Sequence, residues 1–363
     1  LTLNRPRALN ALTAGMCEAI TEALLAWADD DAVSLVLIDH AGERGFCAGG
    51  DIRKVAESGQ GDGVEARRFF GSEYRMNELM ARYPKPVVAF MDGVTLGGGV
   101  GISMPASVRV ATERTLWAMP EGDIGLFPDV GGGWHLPRLS GQAGAWLGLT
   151  GARLKAADCC ALGIATHYVE SGRLEALKAS LVSAHPRESG DPGVLTDSQH
   201  AQAVLEKSLD PRFRGDERIR GCLSEYSADP GPAPLAEYRE MLDQLFGFDT
   251  IEEIVAALEQ GGGWARAQAA ILDRKCPATL KVALRLIREG ARRTSFAEEM
   301  AAEYRLAVRM TRRHDFIEGV RAVIIDKDNA PAWSPDTLAG VTGGVLDEFF
   351  APLPAGEEWM PLA

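Results

Sequence analysis

Positive charge is scarce in this sequence: 38 Lys and Arg stand against 51 Asp and Glu, for a net charge of −13. That excludes nucleic acid or an anionic membrane surface as the main partner, since both demand clustered cations. An anionic ligand would need a local basic patch. There is no long uninterrupted apolar span and no signal-peptide pattern, which excludes a membrane-spanning helix. The six cysteines, Cys17, Cys47, Cys159, Cys160, Cys222 and Cys276, show no metal-ligand spacing. Adjacent Cys159 and Cys160 are unsuited to an ordinary mutual bridge. No metal site is expected, and the setting is a reducing one: cytoplasmic in a bacterium, the mitochondrial matrix in a eukaryote. No glycine cluster has the G-x-G-x-x-G order after the first strand, and none runs into Gly-Lys-Ser/Thr. Dinucleotide and P-loop phosphate sites are therefore absent.

The 363 residues, 46% hydrophobic and 25% charged, suffice for a large core in one or two domains. Leu1 lies inside what reads as a strand, so a short preceding piece is expected. Thr13 caps a helix over 14–27, with Met16, Ile20, Leu24 and Trp27 at helical spacing. The apolar runs 34–38 and 86–91 read as buried parallel strands. Each leads to a glycine-rich turn, GFCAGGD at 45–51 and TLGGGVG at 95–101. Helix is expected over 64–82 and 155–162, and strand over 109–111, 115–118 and 166–169. This alternation indicates an α/β fold. From Pro234 the chain reads as successive amphipathic helices (234–246, 250–260, 264–274, 277–289, 295–312, 315–325), then a mostly extended proline-rich tail after Asn329. Three regions follow: a core over 1–184, a solvated insertion or linker over 185–221 with at most one helix near 199–207, and a helical C-terminal region with its tail over 222–363. The ends of the insertion, HPRESGDPG and LDPRFRGDE, resemble a translated palindromic repeat of bacterial genomes, which implies an acquired insert.

The chemistry is expected in MPEGDIGLFPDVGGGWHLPRL, residues 119–139, which holds Glu121, Asp123 and Asp129 among apolar residues and no lysine. Pro128 prevents Glu121 and Asp129 from sharing one helix face, but an irregular loop can bring them together. Two glycine turns after buried strands can aim two backbone N–H groups at one oxygen, the construction of an oxyanion hole.

Together PRALNAL, GFCAGGDIR, MDGVTLGGGVGIS and the 119–139 stretch, in this order, resemble the crotonase (enoyl-CoA hydratase/isomerase) superfamily. Within it, PEGDIGLFPDVGGG and DFIEGVRAVIIDKDNAPAWSP resemble the 3-hydroxyisobutyryl-CoA hydrolase branch. The resemblance covers nearly the whole chain outside 185–221. It implies a ββα spiral core with a helical C-terminal region, an acyl-CoA substrate, no separate cofactor (coenzyme A being part of the substrate), and homo-oligomers.

It also implies roles. Gly50 and Gly98 supply the oxyanion N–H groups. Glu121 matches one of the two hydratase glutamates, whereas the position of the other is Gly101, which handles no proton. Asp129 supplies the second carboxylate instead. Glu121 then attacks the thioester carbonyl or activates water, with Asp129 holding Glu121, the water or the substrate hydroxyl. Arg5, Arg7, Ala8, Ala48, Asp51, Ile52 and Arg53 lie in the motifs that face coenzyme A, with Lys54 beside them, and Lys327 matches a tail lysine able to approach it. For Arg7 and Lys54 a solvated surface charge is an equal reading. Asp123 reads as a loop acid, His135 as packing, Cys47 as a small buried residue, and Trp117, Trp134 and Trp146 as core or pocket lining. Two other functions stay open: an enoyl-CoA hydratase or isomerase, and a non-catalytic scaffold on the same fold.

Overall fold

The computed structural model describes residues 1–183 and 217–362. Two parallel sheets are wound together. The larger has the order β1 (Thr2–Leu3), β2 (Val36–His40), β3 (Val87–Met91), β5 (Val108–Ala111), β7 (His167–Tyr168). The smaller pairs β4 (Val94–Leu96) with β6 (Leu116–Ala118). Isolated bridges extend the small sheet on both sides: Cys47 pairs with Thr95, and Trp117 with Leu154. The chain thus makes repeated circuits, each laying one strand in the large sheet, a short strand in the small one, and then a helix.

The helices follow local signals. α1 (Ala14–Ala28) starts where Thr13 accepts from the Met16 amide. α2 (Ile52–Gln60) follows the first glycine turn, a helix not anticipated from its sequence. α3 (Val64–Ala81) packs on α1, and α4 (Gly98–Ser103) follows the second glycine turn. Strand β2 lies two residues later than expected. The reason is its edge partner: the Asp39 amide donates to Leu1 O and the Ala41 amide to Leu3 O, drawing the ladder toward His40. The expected helix over 155–162 is Ala156–Ala161.

Two corrections concern the second half. Residues 217–221, assigned above to the insertion, are half of the helix Glu217–Tyr226. Its Ile219 and Leu223, four apart, are buried with Phe90, Val108 and Leu177 on one face of the large sheet. Those two apolar positions among charged neighbours are a weak periodic signal. The expected helix over 199–207 lies outside the described residues. The tail is also less extended than expected. Thr342 accepts from the Val345 amide and starts the helix Gly343–Phe350, whose Phe349 is buried against the helix Phe296–Met310. The remaining C-terminal helices fall close to their expected places. Among the described residues no helix is long and apolar enough to cross a membrane.

Candidate active site

The windings bring three successive circuits to one place. The first glycine turn follows the Cys47 bridge, the second follows β4, and Glu121 follows β6. The turns touch: a Cβ on Gly98 would lie 3.2 Å from the Gly49 carbonyl carbon, and one on Gly49 3.7 Å from the Gly98 nitrogen. Gly49 (φ 108°) and Gly97 (φ 47°) occupy the left-handed region that side chains resist. Neither the Gly50 nor the Gly98 amide has an acceptor among the described residues, so both N–H groups remain available for a ligand oxygen.

Glu121 opens a single 3-10 turn, Glu121–Ile124, after Pro120 and before left-handed Gly125. Its carboxyl reaches the second glycine turn, for a Cβ on Gly97 would stand 3.1 Å from Glu121 Oε1. It is 6% exposed and neither oxygen has a hydrogen-bond partner. Burial, then the charge of Asp129, push its pKa well above the ordinary carboxylate range. Asp129 is also buried, and Tyr74 on α3 donates to its Oδ2 across 2.9 Å. Burial pushes Asp129 up to about 7, with the Tyr74 hydrogen bond pulling the other way. Both acids are therefore buried, and the charge of Asp129 bears on Glu121.

Tyr74 was not anticipated, and neither were three further contributors to this site. Glu73, one residue before Tyr74, is buried with Oε1 unpartnered, and a Cβ on Gly98 would lie 2.6 Å from that oxygen. Burial, Asp129 and Glu121 raise its pKa strongly. In the sequence it is one acid among several in a helix, and only its place on the buried face distinguishes it. Glu303, in the helix Phe296–Met310, accepts from the Gly131 and Gly133 amides at 2.8 and 3.0 Å. It fixes the glycine run just after Asp129, where Val130 and Gly131 both have positive φ. Lys275, 5% exposed, pairs with Asp123 and lays its stem beside Gly122. Asp123 is a loop acid as expected, but an anchored one.

Of the expected coenzyme A residues, those in the segments 5–8 and 48–53 adjoin at the first glycine turn as a ledge. The Ala48 amide donates to Leu9 O and the Leu12 amide to Gly49 O, tying the 5–12 segment to the turn. Arg7, Ala8 and Arg53 are exposed there, and Ala48, Asp51 and Ile52 partly so. Arg5 pairs with Asp51 at 3.1 Å and donates to Ala11 O, so its charge is partly spent within the ledge. Lys54 is exposed and lines a cavity of ≈ 600 Å³ with Thr13, Asp51, Ser58 and Phe69. Lys327 is exposed with φ 60°, just past a π turn at Arg321–Ile325. The helix before it, His314–Val320, packs on both α2 and the Glu121 turn.

The residues set aside stay aside. His135 rests its ring on Phe296, and desolvation holds it neutral, its pKa lowered to about 3. The buried Cys47 thiol is pushed up to about 12, unfit for a nucleophile. Trp117 and Trp146 are buried, and Trp134 lies under the Arg138 guanidinium.

Comparison with known proteins extends these observations. Residues 1–350 match the family model described as enoyl-CoA hydratase/isomerase. The mitochondrial 3-hydroxyisobutyryl-CoA hydrolase of Danio rerio is 44% identical over 354 residues, covering 97% of this chain and 87% of that one. The Homo sapiens protein of the same name is 40% identical, covering 97% and 86%. Among solved structures, one described as a carnitinyl-CoA dehydratase from Mycobacterium thermoresistibile superposes with a TM-score of 0.85 at 37% identity, covering 98% of this chain and 94% of that one. One described as an enoyl-CoA hydratase from Rhodobacter sphaeroides gives 0.81 at 34% identity, covering 99% and 96%.

Proposed function

The chain belongs to the enoyl-CoA hydratase/isomerase family, and within it we propose a thioester hydrolase that splits 3-hydroxyisobutyryl-CoA into free CoA and 3-hydroxyisobutyrate, a step of valine breakdown. The observation that carries the reading is the pairing of buried Glu121 and Asp129 beside two free glycine amides, with no acid at Gly101.

The thioester oxygen sits between the Gly50 and Gly98 N–H groups, which stabilise the negative charge that develops on it. Losing one such donor typically raises the barrier by about 3 kcal/mol. Glu121, ionised, attacks the carbonyl carbon. The C–S bond breaks, the thiolate leaves and takes a proton from the acid cluster, and a mixed anhydride remains on Glu121. Water opens the anhydride, releasing the product acid, regenerating the Glu121 carboxylate and returning a proton to the acid cluster. Alternatively Glu121 draws the proton from a water that attacks directly. Asp129 orients the partner in either route and, by sharing a proton with its neighbours, governs how readily Glu121 ionises. The reaction draws on no cofactor beyond the coenzyme A of the substrate, which the Arg5–Arg53 ledge receives, joined by Lys327.

The names of the related solved structures, one a dehydratase and one an enoyl-CoA hydratase, favour a second reading, addition of water to an enoyl-CoA. That chemistry in its two-acid form wants a second carboxyl at Gly101. Release of free CoA, followed with a thiol reagent, against loss of the enoyl chromophore separates the two. Turnover on neither substrate class would revive the scaffold reading. We place the protein in a reducing compartment, the bacterial cytoplasm or the mitochondrial matrix, supported by six free thiols and by the mitochondrial names of the relatives. We also extend to it the homo-oligomer implied by the family, which sedimentation would check.

A further inference from the structure

Helix α3 carries Glu73 and Asn77 one turn apart, on one side of the helix. Facing them, α4 carries Gly98 and Gly101. A Cβ on Gly98 would meet Glu73 Oε1 at 2.6 Å, and a Cβ on Gly101 would meet Asn77 Nδ2 at 3.0 Å. The same position on Gly101 is 2.7 Å from Cβ of Val130, the residue after Asp129. Asn77 thus lies beside Gly101, on the helix that the proposed oxyanion glycine opens, where Gly101 also meets the residue after the second acid.

Asn77 is wholly buried, and neither its Oδ1 nor its Nδ2 has a partner. Glu73 Oε1 and both oxygens of Glu121 are unpartnered too. Polar atoms left dry in an interior are strongly disfavoured, so a cluster of them calls for a polar group from outside the chain. The chemistry of that group is constrained. A carboxylate or phosphate would be repelled by Glu73, Glu121 and Asp129. A plain hydrocarbon would leave the amide dry. A hydroxyl fits, because it donates to Oδ1 or to a carboxylate while accepting from Nδ2.

We propose that Asn77 is a specificity-determining residue: its amide receives the hydroxyl of a hydroxylated acyl chain while the thioester oxygen lies at Gly50 and Gly98. This rests on the thioester-hydrolase reading and adds to it the means by which a hydroxylated chain is told from a plain one. A site built to bond a hydroxyl penalises the analogue that lacks it, whose binding strands the site's own polar atoms.

The test measures kcat/KM for CoA release from 3-hydroxyisobutyryl-CoA and from isobutyryl-CoA, which share a carbon skeleton and differ in the hydroxyl. The wild type should favour the hydroxylated substrate by about 100-fold or more. Asn77→Leu, close in shape and without polar side-chain atoms, should reduce that preference by about 10- to 100-fold, with 3-hydroxyisobutyryl-CoA turned over more slowly and isobutyryl-CoA at least as fast as by wild type, since its binding no longer strands an amide. The ratio of two substrates on one preparation cancels the folded fraction. If Asn77→Leu yields no folded protein, Asn77→Ser is read by the same ratio and should lower it in the same direction. An unchanged ratio in the folded variant, or a wild type that does not discriminate, overturns the proposal, and Asn77 then holds only an internal water. Release of CoA from neither substrate by the wild type instead overturns the hydrolase reading.

Discussion

The Tyr74 hydroxyl donates to Asp129 Oδ2 across 2.9 Å, joining α3 to the loop 55 positions later in an interior closed to solvent. That bond favours the ionised form of Asp129 against burial. Tyr74→Phe removes it without emptying the core. Asp129 then keeps its proton to higher pH and its charge weighs less on Glu121, so the acid side of the kcat profile should move to lower pH, with KM little changed. A rate–pH profile superimposable on that of the wild type would show that Tyr74 is only packing.

Glu121→Gln keeps shape and removes the nucleophile or base. CoA release should fall by on the order of 10³-fold while KM stays within a few-fold, because the ledge is untouched. Mass spectrometry of wild type quenched during turnover would separate the two routes: an acylated Glu121 indicates attack, and its absence under single-turnover conditions indicates base catalysis. Full activity in the glutamine variant removes Glu121 from the chemistry.

Asp129→Asn should weaken catalysis and strengthen the fold. The carboxyl has a pKa of about 7 when folded, against about 3.9 in an unfolded chain. The folded state therefore holds the proton more tightly, and stability is lost as pH rises from about 4 through 7. The asparagine carries no such penalty and still accepts from Tyr74. At pH 8 it should be more stable than wild type by on the order of 2–4 kcal/mol, the difference shrinking toward pH 4. Thermal melts of both proteins across that range check the slope. A variant less stable at every pH would contradict it.

How much of this was legible beforehand varies with the origin of each signal. Glycine turns and their strands are local patterns, so the placement of Gly50 and Gly98 after buried runs was readable. Glu121 and Asp129 stood out because acids inside an apolar, glycine-rich stretch are conspicuous. Glu73 and Asn77 were not readable, since their burial depends on which face of α3 meets α4. Glu303 and Lys275 act on turns 172 and 152 positions away, and no local pattern carries such a contact. The helix α2 was obscured by its glycine and charged residues, while β2 was displaced by its edge partner.

Lys275 offers the strictest test of the electrostatics. Its charge favours ionised Glu121, against Asp129 and Asp123, which oppose it. The lysine comes from the segment before the helix Pro277–Gly290 and pairs with Asp123, two residues past Glu121. Lys275→Met keeps most of the stem that lies beside Gly122 and removes the charge. Asp123 is about half exposed and can be rehydrated, so the fold should survive. Glu121 then ionises less readily, the acid side of the kcat profile shifts to higher pH, and kcat at pH 7 falls roughly 3- to 10-fold. At a pH well above that limb the variant should recover most of its rate. Lys275→Arg, retaining the charge, should restore the profile at all pH values. A merely structural lysine would lower the rate equally across the range, and that result would remove Lys275 from the control of Glu121.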